Sequence, residues 1–407
     1  MKTPPRKPPA GTPNSGASVP GPPPSGRWRS AWRDVLAPLL VTRGVLLVVG
    51  WLAQYLPRNP AYPAGVSVAR GWGYTPVRLL DIWARWDSGW YMGIVRDGYE
   101  LQGRIVATQS NFAFFPLFPY LVKGATWLLP ASARTDVASL AIGVVLSNLF
   151  LALGLLLVHR LVAATQGSER VARRTVLYML LFPASFFFGC FLTEATFLAL
   201  SVTALWAAYR RIWWAAGAAG GLLALARPNG VLVLAPLLAA YLASRDWQPR
   251  RVRTDVLWLL LTPAGLVSYM VALLPITGDL LAPIRIQAAW GKISSLPWET
   301  LFEPRYPFPV TTVVERWLVI GLLVVAVRSF WLLRDKSQCV YAAVMLLPPL
   351  FSGVLNSQAR YAAPLFPLFV ALAVLGERPR TDWTIRILFG SGLVVAFVAW
   401  CQFYWVG

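Results

Sequence analysis

Eleven apolar stretches of 15 to 24 residues divide the chain: 35–56, 137–159, 175–191, 195–209, 212–226, 229–243, 254–274, 310–333, 338–355, 360–376 and 384–406. Runs of this length and number demand an apolar surrounding for nearly the whole molecule. Only 13% of the 407 residues are charged and 57% are hydrophobic, with a mean hydropathy of +0.56, so polar groups are too few to cover a soluble globule. Disorder as the main state is excluded for the same reason. The class that remains is an all-α polytopic membrane protein with about nine to eleven transmembrane helices.

The spread comes from one pair. Segments 212–226 and 229–243 have fifteen residues each, which reach about 22 Å against a hydrocarbon core of about 30 Å. They are either tilted half-helices meeting at Arg227-Pro228-Asn229-Gly230 or a re-entrant hairpin. Segment 112–130 is apolar but interrupted by Pro116, Pro119 and Lys123, and is expected to lie at the membrane interface. Residues 1–34 form a tail whose first 26 residues hold nine prolines among Gly, Ser and Thr. Such a tail cannot build a core, and no apolar stretch follows its first basic residues, so it is not expected to be a cleavable signal. Residues 35–407 are expected to form a single transmembrane domain.

The net charge of +20 would suggest nucleic acid in a soluble protein, but here it is first a topology signal. With the N-terminus in the cytoplasm, the inside segments hold 22 of the 37 basic residues and seven acids, whereas the outside segments hold 14 basic and ten acidic residues. Treating 112–130 as a span would reverse every later loop and put the basic clusters outside. The layout leaves two long external loops, 57–136 and 275–309, of which the first is expected to carry amphipathic helices. A site built there faces away from cytoplasmic nucleotides, and no P-loop or dinucleotide fingerprint occurs. The single histidine, His159, and the cysteines Cys190, Cys339 and Cys401 have no metal-ligand spacing. No metal site and no cofactor are expected, although the carboxylates leave room for one divalent cation.

Within the first loop, residues 75–98 read as one amphipathic helix. Thr75 suits the N-cap, Pro76 the first helical position and Gly98 the stop. Leu79, Trp83, Trp86 and Trp90 recur at spacings of three and four and make one aromatic stripe. Asp81 has Arg78 and Arg85 at ion-pairing distance along a helix, and Arg85 is expected either to pair with it or to meet substrate. Asp87 has no basic residue three or four positions away; its neighbours there are Trp83, Ala84, Trp90 and Tyr91. An anion so placed requires a distant cation or a functional reason. Asp97, at Asp-Gly, is ordinary turn chemistry. Arg227 breaks a helix pair at possible membrane depth and Arg360 opens a span, so each is a candidate phosphate holder or else a snorkelling anchor. Glu194 opens a span behind Thr193, either as a helix-start charge with Thr193 as cap or as a substrate contact. Arg43, inside the first span, is expected to snorkel, and His159 to be interfacial.

The string Arg85-Trp86-Asp87-Ser88-Gly89-Trp90-Tyr91, with Gly98-Tyr99, resembles the signature of PIG-V-type mannosyltransferases. Further matches follow in order: Phe114-Phe115-Pro116-Leu117-Phe118-Pro119, Phe182-Pro183-Ala184-Ser185-Phe186-Phe187 with Thr193-Glu194, Arg227-Pro228-Asn229-Gly230, and Arg360-Tyr361 with Pro364 and Phe366-Pro367. The resemblance covers about residues 80 to 370. It implies a GT-C architecture, a hexose donor on a polyprenyl or dolichyl phosphate, an active site on the extracytoplasmic or lumenal face, and an acid of the first outside loop, Asp87 by position, as catalytic base. It implies substrate contacts at Arg85, Trp86, Trp90, Tyr91, Glu194, Arg227, Asn229, Arg360 and Tyr361. The implied partners are membrane lipid, the lipid-phosphate sugar donor and a lipid or glycan acceptor, with no nucleic acid. Transfer from a lipid phosphate has a good leaving group, so one carboxylate and a set of cations suffice. The different-class alternative is a lipid-linked sugar flippase or secondary transporter without transferase chemistry; an assembly protein is a third.

Overall fold

The computed structural model describes residues 26–61, 75–100, 109–304 and 309–406. The proline-rich tail to residue 25 lies outside the described residues. The helices are α1 (Gly26–Ala53), α2 (Arg78–Asp81), α3 (Ser88–Asp97), α4 (Leu117–Trp127), α5 (Asp136–Gln166), α6 (Glu169–Leu181), α7 (Glu194–Tyr209), α8 (Trp213–Ala226) and α9 (Leu234–Ala243). Then come α10 (Leu261–Thr277), α11 (Ala282–Arg285), α12 (Pro297–Phe302), α13 (Pro309–Leu332), α14 (Lys336–Leu350), α15 (Gln358–Ala362), α16 (Phe366–Leu375) and α17 (Pro379–Cys401). The described residues contain no strand.

Every expected apolar stretch is helical in whole or in part, but few are single straight spans. Among the described residues, four stretches are long and apolar enough to cross a membrane alone: Ala31–Ala53, Asp136–Gln166, Thr254–Thr277 and Pro379–Cys401. The stretch 175–191 ends as a helix at Leu181, because Pro183 cannot extend it, and resumes as a 3-10 turn over Ser185–Gly189. The stretch 360–376 is likewise split before Pro364 into α15 and α16. The first helix starts at Gly26, upstream of the boundary expected at 34–35. Segment 112–130 forms α4, whose 11 residues reach about 16 Å, too short to span.

Local chemistry explains the long α5. Thr135 caps it, accepting from the Ala138 N–H at 3.2 Å, and Gly167 at φ 69° ends it in the left-handed region that favours glycine. Ser168 caps the following α6 in the same way through the Val171 N–H. Helix α8 packs backbone to backbone: a Cβ at Gly217 would lie 1.9 Å from the Trp258 carbonyl oxygen. Small residues permit this approach where a membrane offers no hydrophobic drive between helices. The core is strongly aromatic, with Phe182, Phe186, Phe187, Phe188 and Phe191 all buried.

The chain end closes the fold around the coming site. Beyond α17, the Gln402 carbonyl accepts from Asn59 N–H at 3.0 Å and the Gln402 amide donates to the Ala53 carbonyl, tying the ends of α1 and α17 together. The Trp400 indole N–H donates to the Ile82 carbonyl at 2.8 Å and so anchors the segment between α2 and α3.

Candidate active site

The expected helix over 75–98 is two helices with a break between, and the break is where Asp87 sits. Residues 82–87 are not helical, and Trp86 takes φ 53°. The carbonyls in the break find partners elsewhere. Arg85 Nη1 donates to the Asp81 and Ala84 carbonyls at 2.5 and 2.7 Å. The Ile82 carbonyl accepts from Trp400 and the Trp83 carbonyl from the Phe191 N–H at 2.9 Å. Four consecutive carbonyls are thus satisfied, two by the Arg85 guanidinium within the break and two by donors from distant segments, which offsets the hydrogen bonds a continuous helix would make. The aromatic stripe is divided accordingly: Trp83 is buried in the core, whereas Trp86 and Trp90 are half-buried. Thr75 accepts from the Val77 N–H instead of capping a long helix, and Gly98 ends α3 at φ 85° as expected.

Asp87 has its distant cation. Arg360, 273 residues away on α15, places Nη1 2.5 Å from Asp87 Oδ2. The Arg360 Nε donates to Glu194 Oε1, and Arg227 Nη2 lies 3.2 Å from that same oxygen. Two acids and two arginines from four separate segments form one connected group. Its order is dictated by charge: two guanidiniums repel, and the single carboxylate of Glu194 between them holds both. Glu194 is fully buried and pairs with both guanidiniums there. Thr193 does not cap α7; its hydroxyl lies 3.4 Å from that of Tyr91. Burial pushes the Tyr91 phenol up to about 12, so it remains a neutral donor at physiological pH.

These groups open onto a cleft of about 690 Å³. Of the expected site residues, Trp86, Asp87, Trp90, Tyr91, Arg227, Asn229, Arg360 and Tyr361 all line it. Glu194 lies behind it, and Arg85 is not brought to it. Arg85 pairs with Asp81 at 2.9 Å and stacks over Phe403, so its part is in the break. One wall is aromatic: Trp90 stacks on Phe114 at 5.7 Å, and Trp290 meets both rings edge-on at 5.9 and 5.6 Å. The Phe114 carbonyl is held by the Tyr99 hydroxyl at 2.7 Å, which fixes the Phe-Phe-Pro segment. Phe187, from the 3-10 turn after Pro183, lies under the Arg360 guanidinium at 5.4 Å.

Spacing alone missed two cleft groups. Lys292, in the second expected loop, lines the cleft with its ammonium 2.9 Å from Gln287 Oε1 and over the Tyr361 ring. Trp405, beyond α17, lines it beside Trp86 at 5.1 Å. Lys292 follows Trp290 by two residues, and that Trp–x–Lys pattern is too common to have marked it. Arg43 also differs from expectation: it turns inward and donates to the Ser185 carbonyl at 3.1 Å. His159 is fully buried beside Asp34 and Glu169. Three cations, Arg227, Arg360 and Lys292, face two acids, so the group has a surplus of one positive charge suited to a phosphate.

Residues 74–244 match the family described as mannosyltransferase (PIG-V). The chain is 32% identical over 165 residues to GPI alpha-1,6-mannosyltransferase 2 of Cricetulus griseus, covering 40% of this chain and 32% of that protein. For the protein of the same name from Mus musculus the figures are 32% over 163 residues, 39% and 32%. The chain thus spans about a third of the length of the curated relatives it matches. In fold it is similar to ArnT from Cupriavidus metallidurans, solved bound to undecaprenyl phosphate, with a TM-score of 0.52 and 17% identity over 86% of this chain and 62% of that one. Residues 74–244 thus match the model of the PIG-V mannosyltransferase family, and the all-α fold around them is similar to that of ArnT.

Proposed function

We propose that the chain is a membrane glycosyltransferase that moves a hexose, mannose by its family match, from a polyprenyl-phosphate donor to a lipid or glycan acceptor. The observation that carries this is the meeting, at one aromatic-walled cleft, of a carboxylate with three cations from distant segments. Asp87 Oδ2 is oriented by Arg360, and Oδ1 makes no hydrogen bond among the described residues. Asp87 takes the proton of the acceptor hydroxyl as the hydroxyl attacks the anomeric carbon. The C–O bond to the lipid phosphate breaks, and the phosphate leaves with the electron pair. Arg227, Arg360 and Lys292 hold the negative charge that develops on it. The good leaving group removes the need for the second carboxylate that a glycosidase requires. One displacement on one face inverts the anomeric centre.

The aromatic wall of Trp90, Phe114 and Trp290 offers flat apolar faces to a sugar ring. The excess of basic residues in the short segments of the other side supports an extracytoplasmic or lumenal cleft and a cytoplasmic N-terminus.

The test is transfer from labelled polyprenyl-phosphate mannose by the purified chain. Asp87→Asn is expected to lower kcat by about 10²- to 10⁴-fold while the donor still binds. Undiminished transfer by that variant removes Asp87 as the base. Donor binding without turnover by the native chain favours a flippase instead.

A further inference from the structure

A second cavity, of about 500 Å³, lies at the other end of the bundle. It opens between α1, α6 and α17 and is lined by Arg33, Arg170, Arg173, Arg174 and Arg386, with Asp34 the one acid among its lining residues. Arg386 lies fifteen positions before the end of α17 at Cys401, about 22 Å at helical rise, and the first-cleft residue Trp405 follows that end. The two cavities therefore sit near opposite faces of the membrane domain.

The charges within it are unequal in their commitments. Arg174 and Arg386 are both tied to Asp382, at 3.4 and 2.7 Å. Asp34 points its Oδ2 toward buried His159 at 3.6 Å, and Glu169 lies 3.7 Å from the same ring nitrogen. Arg33, Arg170 and Arg173 have no ion pair among the described residues. Three exposed guanidiniums without an ion pair converge on one open cavity, where their charges add toward a single anion. They come from helices far apart in sequence, and packing has converged them.

The surroundings specify the ligand further. One turn beyond Ala37 on α1, Leu40 and Val41 are exposed, and directly after Arg386 on α17 so are Ile387 and Leu388. A ligand seated among the arginines would lay its remainder along this apolar surface. An anion with acyl chains matches both halves, and a soluble anion matches only one. We propose that this cavity seats the phosphate headgroup of an anionic membrane lipid, apart from the site of sugar transfer. Guanidiniums bind phosphate oxygens in pairs, and the basic pocket between helices is the geometry in which lipid headgroups are held.

The probe is phosphatidylglycerol in phosphatidylcholine nanodiscs holding the full chain, with retained lipid counted by native mass spectrometry after transfer to detergent. The native chain is expected to keep phosphatidylglycerol. The triple variant Arg33→Gln, Arg170→Gln, Arg173→Gln is expected to keep at least about tenfold less, since each arginine facing an anionic headgroup is worth roughly a fivefold change. The corresponding triple lysine variant, which keeps the charge, is expected to recover part of the retention. If the triple glutamine variant aggregates, Arg173→Gln alone is read, with about a fivefold loss expected. Equal retention by native and glutamine-substituted chains overturns the site. Displacement of the lipid by millimolar inorganic phosphate, with a thermal shift that the glutamine variant lacks, assigns the cavity to a soluble phosphate and overturns the lipid.

Discussion

Glu194→Gln isolates what the buried carboxylate does. The substitution keeps shape and removes one charge from a side chain that is fully buried, accepts from Arg360 and is ion-paired with Arg227. What remains is two guanidiniums against Asp87 alone. Breaking a buried pair by removing one partner costs about 3 to 5 kcal/mol. Arg227 and Arg360 border the cleft, where water screens them in part, so the lower end, about 3 kcal/mol, is expected. Arg227→Gln alone leaves Glu194 with Arg360 and costs less. In the double variant the lost charges compensate, so the two losses are expected to fall short of additivity by about 1 to 3 kcal/mol. The assay is a double-mutant cycle by equilibrium unfolding in mixed micelles. A Glu194→Gln chain as stable as the native one, with coupling to Arg227 below about 0.5 kcal/mol and only a raised donor KM, would refute a positioning role and make Glu194 a substrate contact.

Three further outcomes follow from the geometry. Gly230→Ala would put a Cβ 2.2 Å from the Leu223 carbonyl oxygen, so a loss of about 1 to 3 kcal/mol and a falling kcat are expected, whereas Gly93→Ala, with nothing within 4 Å, is expected to be neutral or slightly stabilising in the same unfolding assay. Lys292→Met is expected to raise donor KM about tenfold and to weaken the salt dependence of kcat/KM, because it removes one of three cleft cations; an unchanged salt slope in steady-state assays counts against its phosphate role. Glu315 accepts the Ala359 N–H at 3.2 Å at the start of the helix carrying Arg360, so Glu315→Ala is expected to cost about 1 to 2 kcal/mol of stability and to lower kcat several-fold through a displaced Arg360.

Much of the site was legible in residue types. The apolar runs exposed the helices, and the ordered motifs pointed to Trp86, Asp87, Trp90, Tyr91, Arg227, Asn229, Arg360 and Tyr361, all of which line one cleft. Asp87 stood out because no local cation answered it, and the structure supplies one from 273 residues away. Arg85 was half read: its pairing with Asp81 follows from spacing, but a straight helix was the wrong frame for it. Lys292 and Trp405 had no local signature, since their place depends on where a loop and a chain end come to rest.

Sequence by itself determined that this chain is a helical membrane protein, which segments are apolar, and which acid lacks a neighbour. Those properties follow from hydropathy and from contacts within one helical turn, which residue spacing encodes. Only the tertiary structure decided that the helix breaks at residues 82–87, because the donors that satisfy its open carbonyls include the Phe191 amide and the Trp400 indole. It also decided that Glu194 is a buried clasp for two arginines and that five more arginines gather at the far end. Charges separated by hundreds of residues meet only once packing has fixed the helices, and no local periodicity carries that information.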